Sequence, residues 1–248
     1  MRKLLKRMSP ARIIALGFAA TIFIGSGLLM LPCSVRNGVD LKYIDALYTS
    51  ASAVCVTGLV TVDIWDTFTA FGQFVVAVLI QIGGLGVASM GAGVILAVGK
   101  RINLKGRRVL RDAMNLDSGK GIVKFIKSVF LTTAAFELVG AALSFIVFVR
   151  DYPLLKALGI SLFHSVAAFN NSGFDILGNF QSLSAYKEDV FLNLVTCLLI
   201  FFGGIGFLVI REIVEKRFRW RRFSMHTKVV LTMSVALTVG GAVIFRIT

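Results

Sequence analysis

Five long apolar stretches constrain this chain more than any other feature of its sequence. Each could cross a bilayer as a helix, which takes about 20 apolar residues, and they cover residues 13–31, 67–98, 122–149, 190–210 and 229–245. With 56% hydrophobic and 16% charged residues, the chain is too apolar for a soluble domain. We therefore predict an all-α polytopic membrane protein whose first stretch is a retained transmembrane helix, not a signal peptide.

The basic residues mark the two sides of the membrane. Residues 2–12, 100–127 and 211–228 carry 21 of the 27 lysines and arginines, whereas the intervening loops carry eight of the 13 acids. By the positive-inside rule, the basic segments and the N-terminus are cytoplasmic, and we predict a multi-pass protein of the plasma membrane. The net charge of +14 therefore indicates topology and anionic lipid neighbours, and we expect no nucleic-acid partner.

Two apolar pieces between the spans are too short to cross the membrane. Residues 43–54 and 155–169 each suffice for about three helical turns. Both lie on the predicted outer side, and a helix of this length is typically re-entrant or interfacial. A re-entrant helix must be buried in protein or line a water-filled cavity, because its end exposes polar backbone groups.

These short pieces belong to an internal repeat. Residues 47–59 align with 162–174 at an offset of 115, and the Gly-Gly-Leu-Gly run at 83–86 aligns with Gly-Gly-Ile-Gly at 203–206 at an offset of 120. Each unit reads as spanning helix, half-helix (pore helix), polar glycine turn and spanning helix, which predicts tandem parallel repeats of the potassium-channel type. We interpret the glycine runs as close helix packing by default, with hinges as the alternative.

The repeat divides the chain into consecutive segments. In order, they are a cytoplasmic N-terminus (1–12), pore repeat one (13–99), a basic cytoplasmic loop (100–121), pore repeat two (122–210), a second basic cytoplasmic loop (211–227) and the first helix of an incomplete third repeat (228–248). We expect either a part of a longer sequence or a terminal anchor helix. The first basic loop mixes arginines with apolar residues, which is typical both of an amphipathic surface helix and of a docking site for a regulatory subunit.

The polar turn after each half-helix indicates an ion-binding function. The C-terminal end of a helix carries a partial negative charge, and glycine tolerates positive φ, so successive carbonyls can point toward one ion. Rings of carbonyls replace the hydration shell of the ion in potassium filters. Asp63 and Asp175, just outside the turns, would raise the local cation concentration at the outer mouth. The predicted filter residues are Val56, Thr57, Gly58, Asn171, Ser172 and Gly173.

Both turns and both glycine runs resemble those of the Trk/Ktr/HKT superfamily of potassium transporters, and the overall match is closest to the bacterial Ktr membrane subunit. The resemblance implies a pore of four such repeats, each with one filter turn and a key glycine, so that this chain would supply half of a pore. It implies that Gly58 and Gly173 are filter glycines, and that glycine at position 58 favours potassium over sodium. A homo-oligomer (a dimer) and a cytoplasmic nucleotide-binding regulatory ring are the partners that we expect.

From these features we predict transmembrane potassium uptake, passive or coupled to sodium, through a backbone-carbonyl filter. Potassium or sodium is the expected transported ligand, and we expect no covalently bound cofactor. We expect no enzyme, because the sequence offers no catalytic nucleophile, acid pair or metal cluster, and Cys33, Cys55 and Cys197 fit no redox motif. Two alternatives stay open: a secondary transporter of another small solute, and a non-conducting accessory membrane subunit.

Two titratable residues lie inside predicted membrane segments. Glu137 could relay a proton or a cation, since acids within membranes are costly and often functional. Our default interpretation is a hydrogen-bonded carboxyl that holds two helices together. His164 lies in the second half-helix, where the first repeat has Thr49, so we expect it to pack or to hydrogen-bond.

Overall fold

The described part of the chain is mainly helical. The computed structural model describes residues 9–97, 102, 104–113 and 121–247, and within them there is no β-strand apart from one isolated bridge. The predicted N-terminus up to residue 8, the end of the second apolar stretch, parts of the first basic loop and Thr248 lie outside the described residues.

The helices follow the predicted order of spans and half-helices. In chain order they are α1 (Pro10–Leu29), α2 (Tyr43–Cys55), α3 (Ile64–Thr67), α4 (Ala70–Leu85), α5 (Val87–Ala97), α6 (Leu104–Ala113), α7 (Ile122–Phe148), α8 (Leu154–Phe169), α9 (Val190–Gly204), α10 (Phe207–Glu215) and α11 (Met225–Ile247), with short 3-10 helices at Ser182–Tyr186 and Trp220–Arg222. The half-helices expected from the sequence are thus α2 and α8.

The number of spans agrees with the apolar stretches of the sequence. Among the described residues, α1, α7 and α11 each contain a segment long and apolar enough to cross a membrane. The pairs α4–α5 and α9–α10 are each apolar enough together but sharply bent, and the total is five spans if each pair counts as one. The predicted all-α polytopic membrane protein is confirmed.

The second helix of each repeat is broken, whereas the sequence analysis favoured close packing over hinges in the glycine runs. α4 and α5 are bent by 106°, and α9 and α10 by 97°. The breaks fall at Gly86 and Gly206, whose φ values of 80° and 86° end an α-helix. The hinge interpretation applies to these last glycines of the two runs.

The half-helices pack between the spanning helices in an apolar core shared by both repeats. Val54 and Val76 of repeat one lie in the same buried cluster as Phe148, Ile160 and Leu192 of repeat two. Each of these side chains is almost fully buried. Lipid tails are as apolar as leucine, so in a bilayer the main contribution of this core is close packing.

Side-chain caps fix where the second helix of each repeat begins. The hydroxyl of Thr69 accepts a hydrogen bond from the N–H of Gly72 at the start of α4. The carboxylate of Asp189 accepts one from the N–H of Leu192 (2.8 Å) at the start of α9. These residues are equivalent at the offset of 120, and both satisfy backbone N–H groups that a helix leaves free in its first turn.

A helix also forms in the first basic loop. Leu110 of α6 is buried against Ala92, Ile122 and Ile126, and Arg111 pairs with its neighbour Asp112 at 2.8 Å. The apolar side of α6 therefore packs on the protein itself. Contact of α6 with lipid or with a regulatory subunit stays a prediction.

Candidate functional site

The first polar turn begins where α2 ends. Val56 takes the left-handed conformation, with φ 55° and ψ 45°. Its N–H donates to the carbonyl of Ala53 (3.3 Å), and the N–H of Thr57 donates to the carbonyl of Ser52 (3.0 Å). Gly58 follows with φ 71°, a conformation in which a β-carbon is strained. The two hydrogen bonds fix the direction in which the chain leaves the helix.

The second polar turn repeats this geometry 115 residues later. Asn171 is left-handed with φ 56°, and Gly173 has φ 73°. The N–H of Asn171 donates to the carbonyl of Ala168 (3.1 Å), and that of Ser172 donates to the carbonyl of Ala167 (2.9 Å). The two turns thus share left-handed first and third residues and the same two hydrogen bonds, residue for residue.

The hydroxyls in the two turns face back toward the half-helices. The Oγ1 atom of Thr57 lies 2.9 Å from the Oγ atom of Ser52. The hydroxyl of Ser172 donates to the carbonyl of Ala167 at 3.2 Å. These hydroxyls brace their turns, and the amide nitrogen of Asn171 donates to the carbonyls of Phe169 and Ile200 (each 3.3 Å). The groups that could meet an ion are therefore the backbone carbonyls and the amide oxygen of Asn171.

The structure brings the two turns together. A β-carbon built on Gly58 would lie 2.7 Å from the carbonyl oxygen of Ser172 and 3.2 Å from the Cα of Gly173. Among the predicted filter residues, Thr57, Asn171 and Gly173 are exposed, whereas Ser172 is buried. Glycine is required at both third positions, because φ is positive there and the two backbones approach within contact distance.

A glycine of the following helix packs against the end of each half-helix. A β-carbon on Gly83 would lie 2.3 Å from the carbonyl oxygen of Val54, and one on Gly203 would lie 1.7 Å from that of Phe169. Val54 and Phe169 are equivalent positions, each two residues before its turn. The packing interpretation thus applies to the first glycine of each run, which lets the two backbones come close.

A serine of each half-helix bonds to the spanning helix before it. The hydroxyl of Ser50 donates to the carbonyl of Ile22 (2.8 Å), and that of Ser165 donates to the backbone carbonyl of Glu137 (2.7 Å). Both residues of the second pair lie 115 positions after those of the first. Each half-helix is therefore held by a serine from one side and by a glycine contact from the other.

A polar cluster joins the two repeats directly behind the second turn. The amide nitrogen of Asn170 donates to Gln81 Oε1 (2.9 Å) and to Glu137 Oε1 (3.1 Å). Asn170 is 8% exposed and immediately precedes Asn171 of the turn. Gln81 belongs to α4 of repeat one, whereas Glu137 belongs to α7 of repeat two. The carboxyl of Glu137 is thus hydrogen-bonded between helices, as the default interpretation expected, and the sequence analysis missed its partners.

The two outer aspartates accept hydrogen bonds within the loops. Asp63 is 8% exposed, and its carboxylate accepts from the N–H groups of Asp66 (2.9 Å) and Phe180 (2.8 Å). Asp175 accepts from the N–H two residues later and from the hydroxyl of Ser182. The hydrogen bond that Phe180 donates to Asp63 joins loops of the two repeats, a role that the sequence analysis missed. Attraction of cations by these aspartates stays a prediction.

His164 hydrogen-bonds and packs inside repeat two. Its Nε2 atom lies 3.0 Å from the hydroxyl of Thr196, and its ring meets that of Phe148 edge-on with centroids 5.7 Å apart. This agrees with the role expected from the sequence. Across the described residues, no group of three or more His, Cys, Asp or Glu side chains could hold a metal ion.

Comparison with known proteins places the chain among transport proteins. The family model described as TrkH, cation transport protein, matches residues 7–244. The potassium/sodium uptake protein NtpJ of Enterococcus hirae is 37% identical over 247 residues, which cover 100% of this chain and 54% of the relative. The Ktr system potassium uptake protein B of Bacillus subtilis is 42% identical over 231 residues, which cover 93% of this chain and 51% of the relative. The protein of the same name from Vibrio alginolyticus is 31% identical over 242 residues, which cover 94% of this chain and 51% of the relative.

The chain spans about half the length of the curated relatives it matches. The family description is of a transporter and not of an enzyme. The match covers nearly the whole chain, which confirms the resemblance drawn from the two turns and the glycine runs. The chain belongs to the TrkH family of cation transport proteins.

Proposed function

We propose that this chain takes part in the transmembrane uptake of potassium, with residues 56–58 and 171–173 as two turns of one selectivity filter. The observation that carries this proposal is the contact of Gly58 with Gly173, in turns of matching backbone at the ends of two half-helices. The names of the relatives, which are potassium uptake and potassium/sodium uptake proteins, support potassium as the ion. Sodium is the second candidate ion, as driver or as cargo.

Backbone oxygens would contact the ion in this filter. Each half-helix directs a partial charge of about −0.5 at the turns. The hydroxyls of Thr57 and Ser172 are turned back to the helices, so the carbonyls of both turns, with the amide oxygen of Asn171, are the remaining ligands. Carbonyls can replace the hydration shell of a potassium ion and still release it, because no fixed carboxylate lies in either turn.

Two turns surround an ion on one side only. We propose that two further repeats complete the pore, and the greater length of the relatives supports this. Residues 13–99 and 122–210 would be its first two repeats, and Asp63 and Asp175 would attract cations at the outer mouth. The predicted dimer, the nucleotide-binding regulatory ring and the cytoplasmic N-terminus in the plasma membrane belong to the same proposal.

The substitution Gly58→Ser tests the filter assignment. A β-carbon at this position lies 2.7 Å from the carbonyl oxygen of Ser172, and a non-glycine residue in the left-handed region costs about 1–2 kcal/mol. Both effects move backbone oxygens of the filter. We expect the ratio of rubidium to sodium uptake to fall by roughly tenfold, the equivalent of about 1.4 kcal/mol. The measurement is tracer uptake by cells that lack other potassium uptake systems.

The matched control is Gly27→Ser. Gly27 lies in α1, and a β-carbon there has no atom within 4 Å. This variant should keep the wild-type flux ratio, and the membrane content of both variants is checked by immunoblot. If Gly58→Ser reaches the membrane and keeps the wild-type ratio, residues 56–58 are not part of the filter.

A further inference from the structure

A loop of arginines and aromatic residues projects from the protein between α10 and α11. Every residue in it is solvent-exposed, and the most exposed aromatic side chains are Phe218 at 78% and Trp220 at 49%. We call this segment the arginine loop; its residues are Arg217, Phe218, Arg219, Trp220, Arg221 and Arg222.

The ends of the arginine loop are tied to the protein. Before the loop, Lys216 donates to the carboxylate of Glu212. After the loop, Ser224 donates to Glu212 through both its N–H and its hydroxyl (each 2.7 Å), and Thr227 donates through its hydroxyl. Phe223 is buried in the apolar cluster of α10. One carboxylate thus fastens both ends of the loop, and the residues between them are presented to the surroundings.

The positive charge of the arginine loop is not neutralised by the described part of the protein. None of its four arginines forms an ion pair with a described carboxylate. Glu212 and Glu215 at its base pair with Lys216 and Arg211. The sequence contains no acid from residue 216 to residue 248. The loop is therefore complementary to an anionic partner.

The arginine loop lies at the level where a membrane would end. The apolar segment of α11 that could cross a bilayer begins at Met225, three residues after Arg222. Three residues span at most about 11 Å, so the loop lies in or next to the headgroup region of a bilayer. Tryptophan favours this interface, and the basic segments of the chain are on the cytoplasmic side by the positive-inside rule.

We propose that the arginine loop binds anionic phospholipids of the cytoplasmic leaflet, with Phe218 and Trp220 inserted among the acyl chains and the arginines bound to headgroup phosphates. The planar guanidinium matches phosphate oxygens in a two-pronged arrangement. Each basic residue near such a surface strengthens binding by about fivefold. This site is independent of the filter, since the bend at Gly206 separates it from the second turn.

Fluorescence of Trp220 tests this proposal. The protein is reconstituted into nanodiscs that contain brominated phosphatidylglycerol or brominated phosphatidylcholine at the same mole fraction. The signal of Trp220 is the difference between wild-type protein and Trp220→Phe in the same discs. We expect bromine on the anionic lipid to quench Trp220 several times more strongly than bromine on the zwitterionic lipid, because the loop gathers anionic headgroups around itself.

The charge variant Arg219→Gln/Arg221→Gln separates headgroup binding from mere proximity to lipid. We expect it to remove most of the difference in quenching between the two lipids, because two contributions of about fivefold each are lost. The matched control Lys124→Gln/Lys127→Gln removes two exposed charges from another basic segment and should leave the preference unchanged. Equal quenching by both lipids in wild-type protein would overturn the proposal. Absence of quenching by either lipid would also overturn it, because the loop would then lie away from the lipid.

Discussion

The contact of Gly203 with the end of α8 provides a quantitative test of how the second turn is held. A β-carbon on Gly203 would lie 1.7 Å from the carbonyl oxygen of Phe169 and 2.8 Å from its carbonyl carbon. A β-carbon on the next residue, Gly204, would meet only the side-chain nitrogen of Asn171, at 3.9 Å. Alanine at these two neighbouring positions therefore makes a matched pair of variants.

The size of the destabilisation follows from how far the carbonyl of Phe169 would have to move. A carbon and an oxygen normally approach to about 3.3 Å, so the carbonyl of Phe169 must retreat by about 1.6 Å in Gly203→Ala. The obstacle is backbone and cannot rotate away as a side chain can. Overpacking of this kind costs about 1–3 kcal/mol, and alanine returns at most about 1 kcal/mol of helix propensity. We expect a net destabilisation of about 1–2 kcal/mol for Gly203→Ala and none for Gly204→Ala.

The assay combines thermal unfolding of purified protein in detergent with rubidium and sodium uptake in cells. Gly203→Ala should unfold at a lower temperature and select less well for rubidium, because the retreating carbonyl lies two residues before Asn171 of the turn. Gly83→Ala should give a smaller effect, since its obstacle, the carbonyl of Val54, is 2.3 Å away. The reasoning is refuted if Gly203→Ala unfolds at the same temperature as Gly204→Ala.

Two further predictions concern polar residues around the turns. Glu137→Gln should keep the wild-type ratio of rubidium to sodium uptake, because glutamine still offers Asn170 an acceptor oxygen; a shifted ratio would favour a relay role for the carboxylate. Asp63→Asn should lower thermal stability by about 1–2 kcal/mol, because one of the N–H groups of Asp66 and Phe180 loses an acceptor. It should also reduce potassium uptake at low ionic strength more than at high ionic strength, and an equal reduction under both conditions would contradict attraction of cations by Asp63.

The apolar stretches and the repeat were sufficient to predict most of the fold. The thickness of the bilayer sets how long an apolar helix must be to cross it, so the length and hydropathy of a stretch predict spans and half-helices directly. The breaks at Gly86 and Gly206 were missed because composition does not reveal which of several nearby glycines takes a positive φ. One signal was present: residues 67–98 are longer than a single span requires.

The polar cluster behind the second turn was less accessible to sequence reasoning. Glu137 was conspicuous as an acid in a membrane segment, but its partners lie far away along the chain, 56 residues before it at Gln81 and 33 after it at Asn170. Gln81 lies in a charge-free stretch, where an amide side chain in a membrane needs a hydrogen-bonding partner. That requirement identifies a polar residue in need of a partner without saying which partner it has.

The two repeats share the glycine and serine contacts but differ in the polar cluster where they meet. This difference indicates what each kind of contact contributes. The glycine and serine contacts recur in both repeats, so they establish the shape of a half-helix and its turn. The positions equivalent to Glu137 and Asn170 in repeat one are Ile22 and Cys55, which cannot form the same hydrogen-bonded cluster. The cluster therefore is not needed to build a turn. Because Asn170 binds Gln81 of the other repeat, its effect is to hold the second turn in register with the first, as the proposed filter would require.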